Sequence, residues 1–398
     1  MTRPLNTLVL DGETIKTRLQ ADRAESGSYV HVDWLRFTVQ RRCAPFPQAE
    51  NLFPTRTDSV WDQETRSQRL AQVLATVPDC DTTAATQARE LAESVCAVLG
   101  PDFSVLNEVL KGHDFYRFRW SIQRAGAEAG WVGYMASSNN KRQQAQGNTL
   151  HVNLYGVACT FAQHGWTSSM ADLIDHHQAD ITRADLALDF FDGFPGGLDR
   201  VVQDYKAGLC DVGGRRLKCA TVGDWINGRE RSFYLGSKEA GKQTNVYEKG
   251  DQLYGVEANS PWLRFELRYG NKLRVLPSDI LRRPADFFAG ASDWHAHTLA
   301  LAAAQVNPQQ VKCEVRLPAE TVEAEVTRNL RWAFNVAAPT IAAAFQHLGD
   351  DFLKLVTHQK LPGRLSKFSP SEIQKAFQAA THRFSAAGEV APLSAFAV

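Results

Sequence analysis

The sequence predicts an α+β fold, an antiparallel sheet with helical insertions followed by a helical C-terminal region. Three observations predict it. β-patterned segments cluster between residues 29 and 270. They do not alternate strictly with helices, as a parallel sheet requires. From about residue 276 onward the pattern is helical and Ala-rich, at 299–305 and 336–344. A chain of 398 residues, 44% hydrophobic, has enough apolar material for about two or three folded domains.

The elements follow in order. Residues 1–28 read as a flexible leader. Strand signals begin at Tyr29–Val39, and residues 40–60 read as a Pro- and Arg-rich loop. Residues 61–110 read as a helical insertion, with Leu91, Val95 and Leu99 at helical spacing. Strands are predicted at Tyr116–Ile122, Trp131–Met135 and Thr149–Tyr155, helices around Ser169–His176 and Leu198–Ala207, and a strand at Ile181–Phe191 between them. A hairpin spans Arg231–Gly250 and a further strand Trp262–Tyr269. The α+β domain is expected over 29–290 and the helical region over 291–398.

The 44 basic and 44 acidic residues cancel, so only local basic patches can argue for nucleic acid. The seven cysteines are scattered, odd in number and without a CxxC pair, so neither a zinc knuckle nor a disulfide framework is indicated. They fit a reducing compartment, and cytoplasm is the expected location. The N-terminal residues lack the apolar run of a signal peptide, and no stretch reaches the roughly 18 apolar residues of a membrane span.

The chemistry concentrates in three segments. In the hairpin RSFYLGSKEAGKQTNVYEKG, strand alternation puts Asn245, Tyr247 and Lys249 on one face. A tyrosine hydroxyl beside an ammonium suits attack on phosphate. Tyr234, in the same hairpin beside Gly236, is the alternative nucleophile. In ITRADLALDFF, Leu186, Leu188 and Phe190 share one face, and Arg183, Asp185 and Asp189 the other. The two aspartates are then spaced to offer oxygen ligands to Mg²⁺ or Mn²⁺. In WLRFELRY, Glu266 is a third carboxylate, while Arg264 and Arg268 suit bidentate phosphate contacts. Arg183 also fits a pair with Asp185, and Lys238 and Lys242 are further cations in the hairpin turn. The FYRFRW run interleaves aromatics and arginines, which fits either a single-strand stacking surface or buried Tyr116, Phe118 and Trp120 alternating with outward arginines.

These segments, together with Val32-Asp33-Trp34-Leu35, GNTLHVNLYGVAC and LPGRLSKF, resemble in order and spacing the replication initiation factor family of rolling-circle plasmids and filamentous phages. The resemblance covers roughly residues 29–290. It implies a metal-dependent nickase and strand transferase that cuts one strand at an origin through a covalent 5′-phosphotyrosyl intermediate. The family's catalytic tyrosine precedes Glu-Lys and maps onto Tyr247. Its metal carboxylates map onto Asp185 or Asp189, with Glu248 and Glu266 as further candidates; Glu248 joins them only if the hairpin bulges. The implied partners are origin DNA, a host helicase and a host polymerase, and a homodimer stays open. No Walker GxxxxGK[ST] sequence is present. A non-catalytic origin-binding repressor or accessory factor, and a nuclease using water, are the other readings.

Overall fold

The computed structural model describes residues 12–45, 82–138, 146–302, 338–349 and 368–386, with isolated positions 143, 322, 326, 330, 351, 354 and 365. The chain divides into two compact units, 1–314 and 315–398.

The first unit is built on one 10-stranded sheet in the order β2-β3-β4-β5-β1-β6-β10-β9-β8-β7. The strands are β1 (Val30–Gln40), β2 (Phe103–Lys111), β3 (Tyr116–Arg124), β4 (Ala127–Ala136), β5 (Thr149–Leu154), β6 (Asp180–Phe190), β7 (Cys219–Asp224), β8 (Arg229–Ser237), β9 (Lys242–Glu248) and β10 (Leu263–Gly270). Every named pairing is antiparallel. The α+β prediction therefore holds.

The parity read from the sequence decides which face is buried. Leu186 and Leu188 of β6, Phe265 and Leu267 of β10, and Val246 of β9 join one core with Leu91 and Val95 of helix Thr82–Leu99, Val201 of helix Gly197–Lys206 and Phe287 of helix Pro284–Ala289. Each such side chain contributes about 1.5–3 kcal/mol by leaving water. The polar residues of the same strands are thereby turned to the opposite face.

Several expectations are corrected. Residues 12–26 are not a loose leader but a helix, Gly12–Ser26, whose Ile15 and Leu19 pack with Phe191 and Trp262. Its apolar stripe is so thin that the sequence shows little periodicity. Arg18 fixes it further, donating to the Ala162 carbonyl at 2.6 Å. In the 61–110 insertion only Thr82–Leu99 is helical among the described residues, and Phe103–Lys111 is the edge strand β2. β7 has every residue exposed, so it lacks the burial pattern that marks a strand in sequence. The first unit runs past 290, because helices Pro284–Ala289 and Asp293–Ala302 pack into its core. Tyr116 leaves the core face: it stacks on His151, with ring centroids 5.6 Å apart, where the neighbouring strand is turned at Met135 (φ 57°).

In the second unit the described residues include helices Ala338–Leu348 and Pro370–Ala386. A small core joins Val322, Val326, Leu365, Ile373, Ala376 and Ala380. Of the LPGRLSKF segment, only Leu365 and Phe368 are among the described residues. Lys141 and Arg142 also lie outside them.

Candidate active site

A bulge organises the centre of the polar face. β1 pairs with β6 through Val32↔Leu186 and then Trp34↔Asp185, so the register skips Asp33. The extra residue aims the Asp33 carboxylate at Arg264, whose Nη1 donates to Asp33 Oδ1 at 2.6 Å. The same guanidinium clamps Asp189, Nε to Oδ1 at 2.8 Å and Nη2 to Oδ2 at 2.9 Å. Trp262 Nε1 donates to Asp189 Oδ1 at 2.6 Å. Arg264 is only 2% exposed and Asp189 1%. Burial opposes both charges, yet each outweighs the other's penalty. Asp33 and Asp189 stay below the ordinary carboxylate range, and Arg264 is held well above its usual value.

Tyr247 lies directly opposite Arg264 across the β9–β10 ladder, with Asn245 opposite Glu266. Its hydroxyl donates to Glu266 Oε2 at 3.4 Å. Burial pushes the Tyr247 hydroxyl well above its ordinary value; Arg264 pulls against this and Glu266 adds to it. Burial, with Asp33 and Asp185 nearby, raises the Glu266 carboxyl to about 7. Lys249 opens the short helix Lys249–Tyr254 instead of continuing the strand. Its ammonium still lies 5.7 Å from the centre of the Tyr247 ring and donates to Gln252 Oε1 at 2.8 Å. Burial, reinforced by Arg264, brings Lys249 down to about 8. Tyr234 pairs with Asn245 and so shares the face of Tyr247; no hydrogen bond of its hydroxyl to a carboxylate is among those of the described residues.

The other expected ligands and DNA contacts are redistributed. Asp185 is buried, paired to Arg183 (Nε to Oδ1, 2.8 Å) and to Arg268 (Nε to Oδ2, 3.3 Å). Arg268 also reaches Glu266 Oε1 at 3.4 Å. Arg183 lies over the Trp34 ring at 4.7 Å. The β9–β10 register runs without a shift. Glu248 therefore stays off the Tyr247 face and binds Arg231, whose Nη2 donates to its Oε1 at 2.7 Å. Arg264 gives three of its five N–H groups to Asp33 and Asp189. Lys242 Nζ is spent on the Ala291 carbonyl at 2.6 Å. Lys238 is exposed. The expected metal set of Asp185, Asp189, Glu266 and Glu248 does not fit a divalent ion. Asp189 gives both oxygens to Arg264, Glu248 lies elsewhere, and among the described residues no three His, Cys, Asp or Glu side chains are grouped to hold a metal.

Reading the sequence by parity missed Asp33 and His31. His31 Nδ1 lies 3.8 Å from Asp189 Oδ2 and its Nε2 3.8 Å from Asp33 Oδ1. The aspartate before Trp34 was visible in the sequence, but a bulge is needed to bring it to the site.

Residues 179–357 match the family described as replication initiation factor. Over that stretch the match agrees with the resemblance seen in the sequence. The match takes in β6, the β8–β9 hairpin and β10, and begins after β1, so Asp33 lies outside it. No curated protein matches the chain. Among solved structures, the rolling circle replication initiator protein from Geobacillus stearothermophilus is similar at 16% identity and a TM-score of 0.41, covering 71% of this chain and 99% of that one. Among the described residues no helix is long and apolar enough to cross a membrane.

Proposed function

We propose that the protein initiates rolling-circle replication by nicking and rejoining one strand of origin DNA, with Tyr247 as nucleophile. The observation that carries this reading is the Tyr247 hydroxyl donating to a Glu266 carboxyl raised to about 7, beside Lys249. A base with a value near neutrality accepts a proton and releases it again at low cost. The Tyr247 oxygen attacks the scissile phosphorus and its proton passes to Glu266. The O3′–P bond breaks and the departing oxygen takes a proton from solvent, leaving a 5′-phosphotyrosyl link and a strand whose 3′-OH primes a host polymerase. In rejoining, that hydroxyl gives its proton to solvent and attacks the same phosphorus, and Tyr247 leaves, recovering its proton from Glu266. The phosphodiester energy is kept in the link, so no ATP is consumed, and unwinding falls to a host helicase. Lys249 offers positive charge where the phosphate gains negative charge.

The test is incubation with supercoiled plasmid carrying the cognate origin, followed by denaturation. A protease-sensitive protein–DNA adduct is expected. Binding without any adduct would establish the repressor reading, and cleavage without an adduct the water nuclease. Because the carboxylates form no metal set, no step is routed through a cation. The same assay in Mn²⁺, in Mg²⁺ and in EDTA decides the matter: activity only with a cation would require the Asp185 and Glu266 pairs to open toward it.

The pH profile follows from the same groups. Glu266 accepts a proton only when ionised, so the rate rises with pH through about 7. Lys249 supplies charge only when protonated, so the rate falls through about 8. Glu266→Gln should lose the rising limb and cost about 10²–10⁴-fold in adduct formation. An unchanged profile would remove Glu266 from the role.

A further inference from the structure

Trp262 stands where three elements meet. It directly precedes β10 and is only 1% exposed. Strand alternation puts its ring on the side of Arg264, and puts Phe191, just past β6, on the side of Asp189. The indole N–H goes to Asp189 Oδ1 at 2.6 Å. The backbone carbonyl accepts from the N–H of Gly250 at 3.1 Å, and Gly250 directly follows Lys249. One residue thus ties the start of helix Lys249–Tyr254 to the Asp189–Arg264 clamp. Its ring centre also lies 6.5 Å from that of Tyr254, at the other end of the same short helix.

Helix Gly12–Ser26 seats the indole. Ile15 and Leu19, one helical turn apart and so on one face, are buried with Phe191 and Trp262 in a small core of their own. Leu253 and Tyr254 pack against the same cluster. A methyl group at Gly12 would come 2.5 Å from Tyr254 Cε1, so the first turn of the helix rests on that ring. Further along, Arg23 Nη2 donates to the Asp189 carbonyl at 2.9 Å, and its guanidinium lies 4.8 Å from the centres of the Tyr29 and Phe191 rings. The helix therefore covers one end of the polar face. It touches both the element that begins with Lys249 and the strand that carries Asp189.

A helix as short as Lys249–Tyr254 does not hold itself in water, where isolated helices below about 12–15 residues are marginal. Tertiary contacts must place it, and Trp262 and Gly12 supply two of them. The placement matters because the Lys249 ammonium lies over the Tyr247 ring, 5.7 Å from its centre. A misplacement of about 1 Å at a reacting centre can cost about 10²-fold in rate.

We propose that Trp262 is a positioning residue, seated by helix Gly12–Ser26, that holds Lys249 over Tyr247. The catalytic consequence rests on the nicking reading, whereas the mechanical link between the two helices does not.

The test uses the full chain. Leu19→Asp puts a carboxylate into the small core and leaves the main core untouched. Hydrogen–deuterium exchange, read by mass spectrometry, should then rise about tenfold or more over residues 249–254 as well as 12–26, with helix Thr82–Leu99 as protected as in the wild type. Trp262→Ala should have the same effect at 249–254. Trp262→Phe keeps a ring against Ile15 and Leu19 and should restore slow exchange there. At saturating origin DNA, single-turnover adduct formation in Leu19→Asp should fall about 10- to 100-fold, with DNA affinity within a factor of a few. Faster exchange confined to 12–26 would overturn the proposal, because the helix would then cover the sheet without reaching Lys249. Equally fast exchange in Trp262→Phe and Trp262→Ala would overturn it as well. So would loss of protection spreading to Thr82–Leu99 in Leu19→Asp and in the milder Leu19→Ala alike, which would make these contacts part of the general fold. Adduct formation at the wild-type rate despite fast exchange at 249–254 would refute the catalytic consequence. A wild-type chain that forms no adduct would refute the nicking reading, and the exchange pattern would still decide the link between the helices.

Discussion

Tyr247→Phe is expected to abolish the covalent adduct on origin DNA while leaving binding within a factor of a few. The substitution removes one oxygen and keeps the ring that Lys249 overlies at 5.7 Å. Among the described residues that oxygen makes one hydrogen bond, the 3.4 Å contact to Glu266. Loss of a nucleophile typically costs about 10³-fold or more, beyond what positioning alone retains. Tyr234 shares the face and is the internal control. Tyr234→Phe should nick at close to the wild-type rate, and persistence of the adduct in Tyr247→Phe but not in Tyr234→Phe would move the nucleophile one strand over. Denaturing gels with labelled origin DNA report both outcomes.

The second large effect is on stability. Asp189→Ala should destabilise the first unit by about 3–5 kcal/mol, because it strands a buried guanidinium. Arg264 is 2% exposed and would keep only Asp33, with Trp262 Nε1 also left without an acceptor. A metal-ligand role predicts the opposite: in metal-free protein the same change would be close to neutral. Urea unfolding in EDTA separates the two. Replacing Arg264 and Asp189 together by apolar residues of similar volume should recover much of the loss, since the pair's desolvation cost disappears with its attraction. The pH sign agrees. A carboxylate held below its ordinary value stabilises above about pH 4 and loses that contribution as pH falls through its folded value. The Asp189→Ala protein should therefore show a shallower acid limb between neutrality and pH 4 downward, and an identical limb would place the acid sensitivity elsewhere.

Much of this was legible in the chain. Alternation in LALDFF and LRFELR depends only on the two-residue period of a strand, which is local. Leu186, Leu188, Phe265 and Leu267 are buried as that period requires, and Tyr247 is turned to the same side as Glu266. The irregularity that Glu248 would need is absent from β9, so parity there was the right guide. The irregularity that matters lies in β1, at Asp33, where no local pattern marks it.

By itself the sequence determined the mixed antiparallel architecture, the polar face, and the presence of a tyrosine, a lysine and a glutamate on it. The tertiary structure decided which charges neutralise one another. Whether Asp189 is free to bind a cation depends on Arg264, 75 residues away, and on how completely both leave water. Burial also sets Glu266 near 7 and Lys249 near 8. Pairing and desolvation are properties of neighbours brought together by the fold, and spacing along a chain does not contain them.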